Sequence, residues 1–176
     1  IDGQSVPFKF TLNYTVAPKH QELIAELIAE TLYEVGIECE LHPVTFALLG
    51  EKKRAHNFDA FLGAWAMSAS SQDFTQIWHT DSWINGGSNY VGFGSARSDL
   101  LIDSVRTTVD MKERNRMSKA FQLQVYDEQP YVFLFSDTKR IVAHKRFENV
   151  QAFNDRPRII LNQWKLLENS VAAFDE

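Results

Sequence analysis

The chain has 176 residues, of which 44% are hydrophobic and 23% are charged, a composition typical of a globular domain with a substantial core. Its net charge of −5 argues against nucleic-acid binding, because contacts to phosphate depend on lysine and arginine. The single cysteine, Cys39, excludes an internal disulfide and is predicted to be a small buried apolar residue. The sequence has no apolar run of about 18 residues, the length that would predict a membrane span.

The first third of the chain alternates between strand and helix patterns. Residues 8–14 alternate in polarity and predict a half-buried strand. Residues 20–35 place their apolar side chains on one helical face, and Gly36 is predicted to form the C-terminal cap. Residues 37–44 alternate again. A strand, a helix and a strand in this order predict a βαβ unit with a parallel sheet.

The next two elements are a short helix and an apolar strand. Thr45 is predicted to cap a helix that runs to Lys53, and the basic cluster at 52–54 is interpreted as its solvated C-terminal end. The nearly unbroken apolar run at 58–65 predicts a central strand that is covered on both faces. Asp59, near the start of that strand, is predicted to accept hydrogen bonds from backbone N–H groups.

The second half of the chain predicts two helices and then two strands. Ser95 is predicted to cap the first helix, and Asp110 with Glu113 forms a capping box for the second, which stops at Pro130. Two strands are then predicted, at 131–136 and 140–144, joined at Asp137-Thr138. The apolar tail from residue 154 fits no place in this sheet. The predicted fold is therefore a layered α/β domain.

The residues that commonly perform catalysis are scattered. His79 beside Asp81 is interpreted as a surface or supporting histidine, and the serines around position 70 lack the GxSxG pattern of a nucleophile. Gly92 and Gly94 predict a turn, because no strand or third glycine makes them a nucleotide-binding loop. The five histidines show no metal-ligand spacing: His20, His42, His56, His79 and His144. The sequence therefore predicts no enzyme and no cofactor.

A cluster of aromatic residues is the feature that indicates binding. Its members lie within 29 residues and are interleaved with Ser, Asn and Gly; those considered as ligand contacts are Trp65, Trp78, Trp83, Tyr90 and Phe93. Ligand pockets in parallel sheets open beyond the carboxyl ends of strands, and Trp65 stands at such an end. Trp65 is equally consistent with a ligand wall and with a core strand, whereas Trp78, Trp83 and Phe93 fit a core or rim position better.

Three segments in order carry a resemblance to a known family. They are "FDAFLGAW" from Phe58, "DFTQIWHT" from Asp73, and the stretch that begins "SNYVGFGS" at Ser88 and ends "DEQPYVFLFS" at Ser136. The chain resembles, from about Lys9 to Leu167, the C-terminal lobe of extracellular solute-binding proteins of the peptide/nickel type. These are the binding subunits of peptide ABC importers. The resemblance implies a type II periplasmic-binding-protein lobe with a mostly parallel central sheet flanked by helices.

The resemblance also implies an organisation and a setting. Residues 1–176 are expected to form a single α/β lobe of a larger two-lobed protein, with 151–176 returning towards the missing N-terminal lobe. The implied function is capture of a peptide or small molecule without chemistry, with ABC permease subunits as partners. The location is expected to be the periplasm or the outer face of the cytoplasmic membrane. Because the chain opens at Ile1 with no signal sequence, we expect any targeting signal to lie outside it.

The resemblance implies ligand-binding positions, at two of which this sequence departs from the family. In peptide-binding members an aspartate three residues after the tryptophan often pairs with the peptide's ammonium, but Ser68 stands here and Asp73 is the nearest substitute. Some members carry an arginine three residues before it, where this chain has Leu62. The predicted ligand-binding residues are Trp65, Ala66, Met67, Ser68, Asp73, Trp83 and Asn89. A sugar, a metal complex or a partner protein remains an alternative ligand.

Overall fold

The computed structural model describes residues 6–66, 73–136, 140–153 and 158–167. They belong to two compact units, one made of Ile1–Trp65 with Asp73–Pro130 and the other of Ala66–Gln72 with Tyr131–Glu176. The elements of the first unit, in chain order, are β1 (Phe8–Thr15), α1 (His20–Glu34), β2 (Ile37–Val44), α2 (Phe46–Arg54), β3 (Ala60–Phe61), α3 (Thr75–Trp78), α4 (Asp81–Ile84), α5 (Ala96–Thr107) and α6 (Met111–Glu128). Among the described helices, none has the length and apolarity needed to cross a bilayer.

The sheet of the first unit is parallel and has the strand order β2-β1-β3. Its register runs from Phe8 opposite Ile37 to Thr15 opposite Val44, which confirms the predicted βαβ unit. Gly36 follows α1 at a φ of +81°, a left-handed conformation that suits glycine at a helix C-terminus. The Thr45 side chain accepts a hydrogen bond from the Leu48 N–H and caps α2 as predicted.

The strand predicted over 58–65 is present as β3, but it is shorter than predicted and lies at an edge of the described sheet, not at its centre. Only Ala60–Phe61 pairs with β1, and β1 itself is the middle strand of this sheet. The carboxylate of Asp59 accepts the Thr11 N–H at 2.9 Å, which confirms its predicted role and replaces a backbone partner at that position. The aromatic residues of this run pack against other aromatic rings, so its apolar character does not come from burial between two sheet neighbours.

Two apolar clusters hold the first unit together. One lies between the sheet and α1, where Leu12 and Tyr14 pack on the fully buried Ala25. Cys39 is partly buried against this cluster, and burial raises the pKa of its thiol. The other cluster joins α5 and α6 and consists of Phe93, Ile102, Phe121 and Val125, with Trp78 packed against it.

Both predicted N-terminal caps in the second half are present, but the reciprocal bond of a capping box is made by Ser98, whose Oγ accepts the Ser95 N–H at 2.7 Å. The Glu113 carboxylate, predicted to complete the box with Asp110, accepts the Arg116 Nε–H instead. The Ser95 hydroxyl accepts the Ser98 N–H, and the Asp110 carboxylate accepts the Glu113 N–H at 2.8 Å. Helix α6 ends at Glu128, and Gln129 then takes a left-handed φ of +46° immediately before Pro130. A helix ends there because the residue before a proline is disfavoured in the α conformation.

The second unit differs from the prediction. The described parts of 131–136 and 140–144 form no strands; instead β4 (Phe147–Glu148) pairs antiparallel with β5 (Lys165–Leu166). Phe147 packs on Trp164 with ring centroids 5.2 Å apart. Apolar, β-branched and aromatic residues favour strands, but a strand also needs a neighbour for its N–H and C=O groups. The predicted turn at Asp137-Thr138 lies outside the described residues.

Candidate ligand-binding site

An exposed aromatic surface lies just beyond β3. Trp65, four residues after the strand, stacks on Tyr90 with ring centroids 6.0 Å apart and planes 8° from parallel. Phe61 meets Tyr90 edge to face at 6.4 Å, and Phe58 meets Phe61 in the same way at 4.8 Å. Because Trp65 remains 44% exposed, the stack presents a ring face or edge to the surroundings.

A second stacked pair adjoins the first. The rings of His56 and Trp83 lie 3.6 Å apart, and Trp83 is 38% exposed. His56 Nδ1 lies 3.3 Å from the carbonyl oxygen of Tyr90, a distance that suits a hydrogen bond when this nitrogen carries the proton. The structure thus links Trp65 to Trp83 through Tyr90 and His56. We call the surface formed by Phe61, Trp65, Tyr90, His56 and Trp83 the aromatic wall.

A basic side chain reaches this wall from α2. The Nζ atom of Lys53 lies 4.9 Å from the ring centroid of Tyr90 and 5.5 Å from that of Phe61. A cation over a ring face is attracted by the electron density of the ring. The C-terminal end of α2 is therefore more than a solvated terminus, because one of its three basic residues takes part in the wall.

Beside Trp83 lies an open groove of about 480 Å³. Its lining is mainly apolar and consists of Thr80, Trp83, Ile84, Val91, Gly92 and Phe93. Gly92 has a φ of +66°, and a Cβ atom on it would approach the Trp83 ring to 3.3 Å. Glycine is favoured there both for its backbone conformation and for the close approach of the indole.

Asn89 does not lie on the exposed part of the wall. Its side chain is fully buried, its NH₂ group donates to the carbonyl oxygens of Phe93 and His79, and its Oδ1 accepts the Phe93 N–H at 3.1 Å. These bonds occupy both ends of the amide. Asn89 therefore shapes the loop that carries Tyr90 and Gly92, and the expectation that it contacts a ligand does not fit its burial.

Asp73, the expected substitute for the amine anchor, is engaged at the start of α3. Its Oδ1 accepts the backbone N–H of Thr75 at 2.9 Å. The neighbouring Thr75 hydroxyl and the hydrogen bond from the Thr75 N–H, with a smaller contribution from the charge of Arg106, hold the pKa of Asp73 below its ordinary value. The carboxylate thus stabilises the beginning of a helix.

The remaining predicted positions are less informative. Ala66 is exposed and belongs to the second unit, whereas Met67 and Ser68 lie outside the described residues. Sequence reasoning noted Tyr90 but omitted it from the predicted site, and it missed Lys53, His56 and Phe61 as wall residues. For the last three, no local motif gives a signal, because their side chains meet only through the fold.

Two other polar clusters serve the fold. A hollow of about 380 Å³ on the second face of the sheet includes Asn13 and His42, but the Asn13 amide already donates to the carbonyl oxygen of Ala60 and its Oδ1 faces His42. His79 is largely buried, within 3.9 Å of carboxylates on α4 and α5, and its Nδ1 accepts the Asp81 N–H. These contacts tie His79 to the backbone and the carboxylates of α4 and α5.

The parallel sheet with flanking helices is the fold of type II periplasmic binding proteins. The solved structure of oligopeptide-binding protein AppA from Bacillus subtilis, in complex with a nonapeptide, matches 92% of this chain with a TM-score of 0.74 and 26% identity. NikZ from Campylobacter jejuni, solved with Ni(L-His), shares the fold at a TM-score of 0.62 and 16% identity over 70% of the chain. The predicted fold class is confirmed.

Sequence comparison agrees with the fold. AppA is 27% identical over 168 residues, which is 94% of this chain but 31% of AppA. The probable D,D-dipeptide-binding periplasmic protein DdpA of Escherichia coli is 23% identical over 80% of the chain and 28% of its own length. No family model matches the chain. The chain is homologous to AppA, and it spans about a third of the length of the relatives that it matches.

Proposed function

We propose that this chain is one lobe of a solute-binding protein that captures peptides for an ABC importer. The observation that carries the proposal is the exposed Trp65–Tyr90 stack beyond β3, in a chain homologous to an oligopeptide-binding protein. Aromatic faces bind peptide backbones and apolar side chains of many sequences, because stacking and apolar burial do not depend on one particular side chain. Capture requires no bond to be made or broken, so the proposed function is not enzymatic.

The aromatic wall supplies only part of a binding site in this proposal. Two-lobed binding proteins close around a ligand by hinge motion, so that each lobe covers one side. The groove beside Trp83 and the wall at Trp65 are connected in the first unit through the contacts of His56 with Trp83 and Tyr90, and we propose that an extended peptide lies along both. Ala66, Met67 and Ser68 follow the wall in sequence and remain proposed ligand contacts.

The second unit has features that suit attachment to a longer protein. Val132, Phe133, Leu134 and Phe135 are all exposed and unpaired with any described strand, although their sequence favours a strand. Since the chain spans 31% of AppA, we propose that this run and the tail 151–176 pack on the rest of the protein. Permease subunits as partners, and a location in the periplasm or on the outer face of the membrane, belong to the same proposal.

The test is tryptophan fluorescence of the full-length protein that contains this chain. It is titrated with a randomised tetrapeptide pool and then with oligosaccharides, for the wild type and for Trp65→Phe. A saturable change with peptides that is altered in the variant supports peptide capture at the wall. Binding of oligosaccharides alone would refute peptides as the ligand, while capture of a solute between two lobes would still describe the protein.

A second ligand class is favoured by one observation. The nearly parallel Trp65 and Tyr90 rings provide a flat apolar face of the kind on which a sugar ring also stacks. A sugar needs several hydrogen-bonding side chains around that face, whereas a peptide uses its own backbone groups. The oligosaccharide titration separates these two classes directly, and a protein partner in place of a solute would give no saturable response with either pool.

A further inference from the structure

The segment that follows β3 provides no acid for a ligand ammonium. Residues 62–72, which include Trp65 and the seven residues after it, contain no Asp, Glu, Lys or Arg. The first charged residue after them is Asp73, whose carboxylate binds the Thr75 N–H and has a lowered pKa. None of the five residues of the aromatic wall is acidic, so the wall itself offers no carboxylate to the amino terminus of a peptide.

The charge that does contact the wall is positive. Lys53 is half-buried, and its ammonium lies over the ring faces of Tyr90 and Phe61. Among the described residues no carboxylate forms an ion pair with Lys53, whereas Lys9 of β1 is paired with both Glu38 and Glu40. Ring faces accept a cation but leave some of its three N–H donors without an oxygen acceptor.

We propose that Lys53 makes the aromatic wall selective for ligands that bring a carboxylate to it, in particular the C-terminal carboxylate of a peptide. This inference rests on the proposed function and adds the polarity with which the ligand lies on the wall. A carboxylate beside Tyr90 would accept a charge-assisted hydrogen bond from Lys53 while the rings shield both charges from water. The carboxylate of an Asp or Glu side chain has the same chemistry, so the experiment must separate the two sources.

The experiment measures the affinity of the full-length protein, by calorimetry, for three randomised tetrapeptide pools. The first is built from uncharged residues and has a free C-terminal carboxylate. The second is its C-terminal amide, and the third is an amide pool that contains one Glu. The proteins compared are the wild type, Lys53→Met, Lys53→Arg and, as the matched control, Lys52→Met on the same helix end. Thermal melting shows that each variant is folded.

The expected result is that the wild type binds the free-acid pool about tenfold more tightly than the amide pool. Lys53→Met should reduce this ratio to about one, while Lys53→Arg and Lys52→Met should retain it. If the wild type binds the Glu-containing amide pool as tightly as the free-acid pool, a side-chain carboxylate can replace the C-terminal carboxylate as the partner of Lys53.

Equal binding of acid and amide pools by the wild type, or an unchanged ratio in Lys53→Met, would overturn this inference and leave peptide capture standing. Failure of the wild type to bind any pool would refute the proposed function together with this inference.

Discussion

The sharpest test of the wall is removal of the Trp65 indole by Trp65→Ala. Taking about 250 Å² as the full area of a tryptophan side chain, the 44% that remains exposed is roughly 110 Å². At about 25 cal/mol per Å², complete coverage by a ligand contributes ~3 kcal/mol, and coverage of half of it ~1.4 kcal/mol. We therefore expect Trp65→Ala to weaken peptide binding by between about tenfold and about a hundredfold.

The assay is calorimetric titration of the full-length protein with the tetrapeptide pool. Tyr33→Ala is the matched control, because Tyr33 is an exposed aromatic residue on α1 that takes no part in the wall. Because more than half of the indole is buried, Trp65→Ala should also lower the folding stability. The affinities are therefore compared at a temperature at which thermal melting shows that both proteins are folded. An affinity within twofold of the wild type would refute the assignment of Trp65 to the ligand surface.

Three further predictions concern the residues that shape the site. In Gly92→Ala the new Cβ atom stands on a residue with a positive φ and lies 3.3 Å from the Trp83 ring. We therefore expect this substitution to destabilise the protein by about 1–2 kcal/mol and to change the fluorescence of Trp83. An unchanged melting temperature and spectrum would contradict the strain at this glycine. Asn89→Ala leaves the buried backbone N–H and C=O groups of Phe93 without partners, so we expect it to lower the free energy of unfolding by about 2–4 kcal/mol. The measurement is the denaturant midpoint. A loss of stability under about 0.5 kcal/mol, the size expected of a surface substitution, would show that the loop does not depend on this amide. In the folded state the carboxylate form of Asp73 is favoured, so its pKa is lower than the ordinary value of 3.8. Its contribution to folding stability is therefore fully present above the ordinary pKa, and it is lost as the pH falls through the lower pKa of the folded state. The stability difference between wild type and Asp73→Ala, measured by urea unfolding, should thus be largest near neutral pH and should shrink below about pH 4; a difference that grows on acidification would mean the sign is wrong.

Local patterns were sufficient for most of the first unit. The alternation at 37–44, the single apolar face at 20–35 and the capping residues Thr45, Ser95 and Asp110 all concern interactions within a few residues of each other. Such interactions are dictated by side-chain spacing and by hydrogen bonds to nearby backbone groups, which the sequence shows directly. The order of motifs from Phe58 to Phe135 likewise led to the correct fold class and to the relatives of the chain.

Patterns that depend on a distant neighbour were misleading. The apolar run at 58–65 has the composition of a central strand, yet only two of its residues pair with β1, and β1 itself occupies the middle of the described sheet. The run at 131–136 has the composition of a strand and forms none in the described chain. Composition shows that a segment favours an extended, buried state, but it does not show which surface covers the segment.

The sequence by itself determined that this protein has an α/β fold, that its aromatic residues concentrate between Trp65 and Phe93, and that the segment 66–72 after Trp65 contains no charged residue. Only the tertiary structure decided which of these residues form one surface. It buried Asn89, engaged Asp73 at a helix start, and brought Lys53 from α2 onto the rings of Phe61 and Tyr90. The reason is physical: a binding surface is made by side chains far apart in sequence, and their distances are fixed by the packing of the sheet, helices and loops around them.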